Sequence, residues 1–236
     1  MKFALVNSQR EEAQSQLKGT CLGCGNPVVA KCGEQRIHHW AHKAKIQCDP
    51  WWEKETEWHR SWKNQFPEDW QEIVHIADDG EKHVADVKTQ DGWIIEFQHS
   101  YIAPEERRSR ESFYKKLIWV VDGNRRARDK TRFMQVVKQS GPNNLWPQLR
   151  VTFAEGAIFR DWIASTVHVI YDFGVDDLWC LFPQSNELWA YILPIPRVEF
   201  IERLRSSSLS PFDDVVRKFK LFLDNYKSPR HLVQGL

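Results

Sequence analysis

The stretch Lys82-His83-Val84-Ala85-Asp86-Val87-Lys88-Thr89-Gln90-Asp91-Gly92-Trp93-Ile94-Ile95-Glu96-Phe97-Gln98 decides the reading of this chain. Two runs of strand-forming residues flank Thr-Gln-Asp-Gly, a turn sequence, so a β-hairpin is expected. Its register depends on the loop. A two-residue turn at Asp91-Gly92 pairs Asp86 with Phe97 and sends Glu96 to the other face. A three-residue loop, Gln90 to Gly92 with a left-handed Gly92, pairs Asp86 with Glu96. That second register sets two carboxylates side by side, which is repulsive unless a cation sits between them. Oxygen ligands of this kind suit Mg²⁺ or Mn²⁺. The bland alternative is a solvated strand face, but Asp and Glu are poor strand residues and are flanked here by Val, Ile and Phe.

Outward from the hairpin, the pattern is mixed α+β. Upstream, Trp58, Trp62 and Phe66 form a helical stripe over residues 53 to 66, ended by Pro67. On the same helix Glu55, His59 and Lys63 recur at i, i+4, i+8, either as surface pairs or as a carboxylate brought towards a metal. A strand is expected at Gln71 to Ile76. Downstream, a helix starts at Pro104 and runs through Tyr114, carrying Arg107, Arg110 and Tyr114 on one face. Leu117 to Val121 reads as a buried strand closed by Asp122-Gly123-Asn124. The order for residues 53 to 122 is then α-β-β-β-α-β. Beyond it a helix at 128–139, strands at 149–153, 166–172, 177–182 and 187–193, and helices at 196–206 and 211–224 are expected. Of the twelve tryptophans, Trp51, Trp52 and Trp58 crowd one segment, and the scattered ones read as core.

Residues 1 to 50 show no sustained period and are rich in Gly, Cys and His, which suits a small module held by something other than a large core. Four of five cysteines, Cys21, Cys24, Cys32 and Cys48, fall in this segment, and Cys180 lies far off in an apolar run. Cys21-Leu22-Gly23-Cys24 is a CxxC knuckle followed by His38-His39-Trp40-Ala41-His42. Structural zinc takes four N or S ligands in a tetrahedron, commonly as two short-spaced pairs. Two sets satisfy that: Cys21, Cys24, His42 and Cys48, or Cys21, Cys24, His39 and His42. Cys32 reads as a spectator.

With 33 Lys plus Arg against 32 Asp plus Glu, the chain is neither a globally basic polyelectrolyte nor an acidic tail. Residues 105 to 132 nevertheless hold ten basic residues against five acids, which leaves room for a local surface that grips nucleic acid. At 42% hydrophobic, the chain can bury a core and is not disordered. The first residues are too short for a signal-peptide apolar region, and no run reaches the ~18 apolar residues of a membrane span. A cytoplasmic protein without membrane contact is expected.

At these residues the chain resembles the competence protein CoiA-like family. The matching pieces are Cys21-x-x-Cys24, His39-Trp40-Ala41-His42, Glu55-Thr56-x-x-His59-x-x-x-Lys63, Ala85-Asp86-Val87, Ile95-Glu96-Phe97-Gln98-x-Ser100, Arg110-x-x-x-Tyr114 and Trp119-Val120-Val121-Asp122. The resemblance implies a zinc-finger-like module at 1–50, a restriction-endonuclease-like nuclease core of the PD-(D/E)xK type at 51–146, and an α+β region at 147–236. It implies DNA as partner, together with recombination or DNA-processing proteins. Carried over, Asp86, Glu96 and the Phe97 carbonyl would hold Mg²⁺ or Mn²⁺, and Glu55 would be the helix acid. Gln98 stands where the wider nuclease pattern has Lys, and Lys63 is the candidate to restore that charge. His59, Arg107, Arg110 and Tyr114 would hold the DNA backbone.

Overall fold

The structure, a computed structural model, describes residues 1–44, 48–51, 53–77, 80–206 and 212–225. The expected features at Trp52 and at the first residue of the 211–224 helix lie outside them. The chain divides into two compact units, Met1–Arg125 and Arg126–Leu236. The cysteine-rich segment therefore shares a unit with the hairpin. The expected boundary at 146 falls inside the second unit.

The first unit opens with a feature the apolar pattern did not announce: five short antiparallel strands, β1 (Phe3–Val6), β2 (Gln9–Glu12), β3 (Lys18–Thr20), β4 (Pro27–Lys31) and β5 (His39–His42), in spatial order β2-β1-β3-β4-β5. Strands of three to five residues show too few alternations to be seen in sequence. Gly19 marks where two of them meet, since a Cβ there would sit 2.7 Å from the Leu5 carbonyl oxygen on β1. The core beneath is small, with Phe3, Ala4, Val28 and Trp40 buried and Trp40 Nε1 donating to Glu11 O at 2.9 Å.

The rest of the unit follows the expected order: α1 (Glu57–Lys63), β6 (Gln71–Ile76), β7 (Lys82–Lys88), β8 (Ile94–Gln98), α2 (Pro104–Phe113) and β9 (Leu117–Asp122). Strands β6, β7 and β8 are antiparallel neighbours, and β9 lies parallel to β8 after the α2 crossover. Helix α1 is shorter than its apolar stripe suggested. The Thr56 side chain accepts the His59 amide and caps the helix, so Glu55 sits in the extended chain just before the cap.

The second unit holds α3 (Asp129–Ser140), β10 (Arg150–Phe153), α4 (Ala157–Trp162), β11 (His168–Asp172), β12 (Asp177–Leu181), β13 (Trp189–Pro196), α5 (Arg197–Arg205) and α6 (Asp213–Asn225). Its strands run in the order β10-β13-β12-β11, all antiparallel. Phe133 stacks on Phe159 and meets Tyr171, Phe173 and Trp179 edge-on or tilted, an aromatic core that accounts for much of the scattered aromatic content. The short helix α4 was not expected from its pattern.

The hairpin loop settles the register question. Val87 pairs with Ile95 and Lys88 with Ile94, so Asp86 stands opposite Glu96. The Thr89 amide donates to Trp93 O at 2.9 Å, the Gly92 amide donates to Thr89 O at 3.0 Å, and Gly92 has φ +79°. Nothing lies within 4 Å of a Cβ built there, so the demand for glycine is conformational alone. Gly92→Ala is expected to cost about 1 kcal/mol through the left-handed backbone, seen as a lower midpoint in urea unfolding. An unchanged midpoint would overturn this account of the turn.

Candidate metal cluster and carboxylate site

Cys21, Cys24, His42 and Cys48 converge. One ligand atom from each lies within 4.8 Å of the others, and among the described residues they form the one such group of three or more. The knuckle is shaped by backbone bonds: the Gly25 amide donates to Cys21 O, the Cys21 amide donates to Asn26 O, both at 2.9 Å, and Gly25 has φ +71°. Strand β5, paired with β4, supplies His42. Cys21 Sγ and Cys48 Sγ are 3.8 Å apart, and Cys24 Sγ and His42 Nε2 3.3 Å. Ligands about 2.3 Å from a tetrahedral zinc stand about 3.8 Å from one another, so the spacing fits a structural metal such as zinc.

Of the two ligand sets left open by sequence, this is the first. His39 lies three residues from His42 on the same strand, which places it on the opposite face, where its Nδ1 contacts Ile37 O at 2.9 Å. Cys32 Sγ is turned to Ala13 O at 3.5 Å and takes no part. Burial opposes ionisation of Cys24, but Asn26, His42 and Cys21 outweigh it and bring the thiol down to about 6. Burial and then the Cys21 charge push Cys48 up to about 12. One member of the cluster is thus a ready thiolate and another is held as a thiol until a cation arrives.

The hairpin carboxylates form the second site. The pairs flanking it, Gln71 with Val87 and Ile73 with Ala85, place Glu72 of β6 opposite Asp86. Glu72, Asp86 and Glu96 therefore stand in one row across three strands. The row replaces ladder bonds between β7 and β8: the Asp86 amide donates to Glu96 Oε1 at 3.3 Å, and the Phe97 amide donates to Asp86 Oδ2 at 3.0 Å.

Two cations hold the row. Lys63 Nζ lies 2.6 Å from Glu55 Oε1, 2.9 Å from Glu72 Oε1 and 3.9 Å from Asp86 Oδ1. Arg110 Nη1 donates to Glu96 Oε2 at 3.1 Å, and its Nη2 donates to Trp51 O at 2.7 Å. Glu72, absent from the sequence reading, also accepts the Lys2 amide at 2.6 Å and the Phe3 amide at 2.9 Å, tying β1 to the site. Its φ of +46° would have flagged nothing in sequence. Burial alone would raise Glu55, but the Arg60 hydrogen bonds and Lys63 outweigh it and hold it well below the usual carboxylate range. Glu96 goes the other way: burial first and Asp86 second push it up to about 8, against the pull of Arg110.

The remaining candidates sit differently from the expectation. Arg107, Arg110 and Tyr114 are 2%, 5% and 2% exposed, because this face of α2 packs inward. They form no outward phosphate clamp here; Arg110 serves Glu96, and Arg107 lies 3.7 Å from Glu111. His59 is buried too, donating from Nε2 to the Phe97 carbonyl, so the expected carbonyl ligand is already bonded. Gln98 is buried, with Nε2 donating to Glu53 Oε2 at 2.9 Å. Glu53, like Asp49, which accepts from His83 Nδ1 at 2.8 Å and the Val84 amide at 2.9 Å, gave no motif signal because its partners lie far along the chain.

Two predictions follow from these sites. Cys48→Ser and His42→Ala are expected to strip zinc from the purified protein while His39→Ala retains it, read by elemental analysis; zinc loss in His39→Ala alone would overturn the ligand set. For Glu96, a folded-state value above the ordinary 4.5 means that its contribution is full below about 4.5 and is lost as pH rises towards about 8. In chelator, the native chain should lose stability across that window, and Glu96→Gln should flatten the slope.

No curated protein and no solved structure matches the chain. Residues 5–50, which contain all four members of the sulfur and nitrogen cluster, match the family model for competence protein CoiA, N-terminal domain. Over residues 5–50 the chain is thus similar to the N-terminal domain of competence protein CoiA.

Proposed function

We propose that this is a cytoplasmic, metal-dependent DNA nuclease with a competence-related role, its reacting site built on Asp86 and Glu96. The observation that carries the reading is the facing pair itself. Two carboxylates forced together on an interrupted ladder, one of them buried and driven up to about 8, form a place where a divalent cation relieves the repulsion. Asp86 keeps a quarter of its side chain exposed, at 24%, which leaves access. The donor set fits Mg²⁺ or Mn²⁺, and such an ion would supply charge neutralisation and an acidified water.

The chain's own residues do the rest. Asp86 and Glu96 would hold the ion. Lys63, anchored by Glu55 and Glu72, keeps a positive charge 3.9 Å from Asp86 Oδ1, offsetting the absence of Lys at position 98. His59 holds the carbonyl of Phe97, the residue after Glu96 on β8. The exposed Arg108, Lys115 and Lys116 offer phosphate contacts that the buried Arg107 and Arg110 do not, and the zinc-type module braces the site through β1.

A second reading, a catalytically silent DNA-binding accessory of recombination, draws on one observation: Arg110 already neutralises Glu96 in the way a cation would. Incubation with single- and double-stranded DNA and Mg²⁺ or Mn²⁺ separates the two. The nuclease reading expects cleavage that Asp86→Ala or Glu96→Ala abolishes and Lys63→Ala lowers at least tenfold. Salt-sensitive binding without cleavage would establish the accessory role. Cleavage untouched in Lys63→Ala but lost in Glu96→Ala would remove Lys63 from the mechanism.

A further inference from the structure

Gln98 follows Glu96 by two residues on β8, so the two side chains share a face of the strand. It is 3% exposed, and its amide is asymmetric in a chemically informative way. On one side, Nε2 meets Glu53 Oε2 at 2.9 Å, Ser100 O at 3.3 Å and Ser100 Oγ at 3.5 Å. A carboxylate and a carbonyl are acceptors only, so the NH₂ group must be the end that faces them. On the other side, the buried Oε1 finds no donor among the described residues. An orphaned buried acceptor costs about 1–3 kcal/mol, and a fold keeps one where something else will donate to it.

Glu53 is itself fixed. Its Oε1 accepts the Ser100 amide at 2.6 Å, and its Oε2 lies 3.8 Å from His59 Nε2. The carboxylate is thus aimed at Gln98 by its bond to the Ser100 amide, two residues beyond Gln98. A lysine at 98 would have presented a donor to the site. A glutamine oriented by Glu53 presents an oxygen.

Resting on the nuclease reading above, we infer that Glu53 is a positioning residue that locks the Gln98 amide so that Oε1 accepts a hydrogen bond from the water attacking the phosphodiester. The pair would do by orientation what a lysine does by charge.

Glu53→Gln is the discriminating change. Its amide oxygen can keep the Ser100 bond, while its NH₂ group now faces the NH₂ group of Gln98. Two readouts on the full chain apply. In ¹⁵N NMR, the Gln98 side-chain amide, identified by its loss in Gln98→Met, should be slow to exchange in the native chain and exchange at least tenfold faster in Glu53→Gln. This arm needs no catalysis, so it decides the locking of Gln98 whether or not the chain cleaves DNA. In the cleavage assay, kcat should fall by up to about a hundredfold, the scale of a misplaced reacting group, with KM for DNA unchanged. An unaltered Gln98 signal, or a fall in DNA affinity with kcat intact, would overturn the role. If the native chain does not cleave while the NMR arm holds, the nuclease reading and the water-orienting role fail together, and Glu53 stands only as the lock on Gln98.

Discussion

Everything near the hairpin depends on three carboxylates placed in a row across β6, β7 and β8. Left alone, Glu72, Asp86 and Glu96 would repel one another, and buried charge of one sign is among the costliest arrangements a fold can hold. Lys63 sits against the first two and Arg110 against the third. Each cation is recruited from a different helix. The helices are thereby registered on the sheet by ion pairs as much as by apolar contact, and Glu72 extends the network to the amides of Lys2 and Phe3. The small N-terminal sheet, too thin to be stable on area alone, gains two supports: this anchor at the start of β1 and the Cys and His cluster.

The two supports meet through a short segment. Cys48 belongs to the cluster, Asp49 binds the backbone and imidazole of β7, and the Trp51 carbonyl receives Arg110. Trp51 also stacks on His83 at 3.2 Å between centroids. Four residues of chain thus connect the sulfur cluster to the guanidinium that steadies Glu96. No helix among the described residues is long and apolar enough to cross a membrane.

What sequence alone revealed has a physical pattern. The α-β-β-β-α-β order was legible because apolar runs at 71–76, 82–88, 94–98 and 117–122 are long enough to show a period, whereas the hairpin register was not, since Gly92 suits both loops. The CxxC knuckle was legible because its ligands are close in sequence. The five N-terminal strands were not, being too short for alternation to accumulate. Nor were Glu53 and Glu72, since an isolated acid reads as surface until the fold shows what it touches. The inward turn of Arg107, Arg110 and Tyr114 was not legible for a related reason. Charged residues on one helical stripe usually face solvent, and only the buried Glu96 on β8 gives that stripe cause to turn inward.

The interrupted ladder at Asp86 carries one more implication. The two acids are also the hydrogen-bond acceptors for amides of their neighbouring strands, so they close gaps in the sheet that no apolar side chain could close. A lineage that abandoned chemistry altogether would still be under pressure to keep them, because the sheet would otherwise carry unpaired amides. Retention of an acidic pair at this place in related chains therefore reports on folding whatever its chemistry, and under the proposed nuclease reading the fate of Gln98 and Glu53, which the sheet does not need, is the more telling trace.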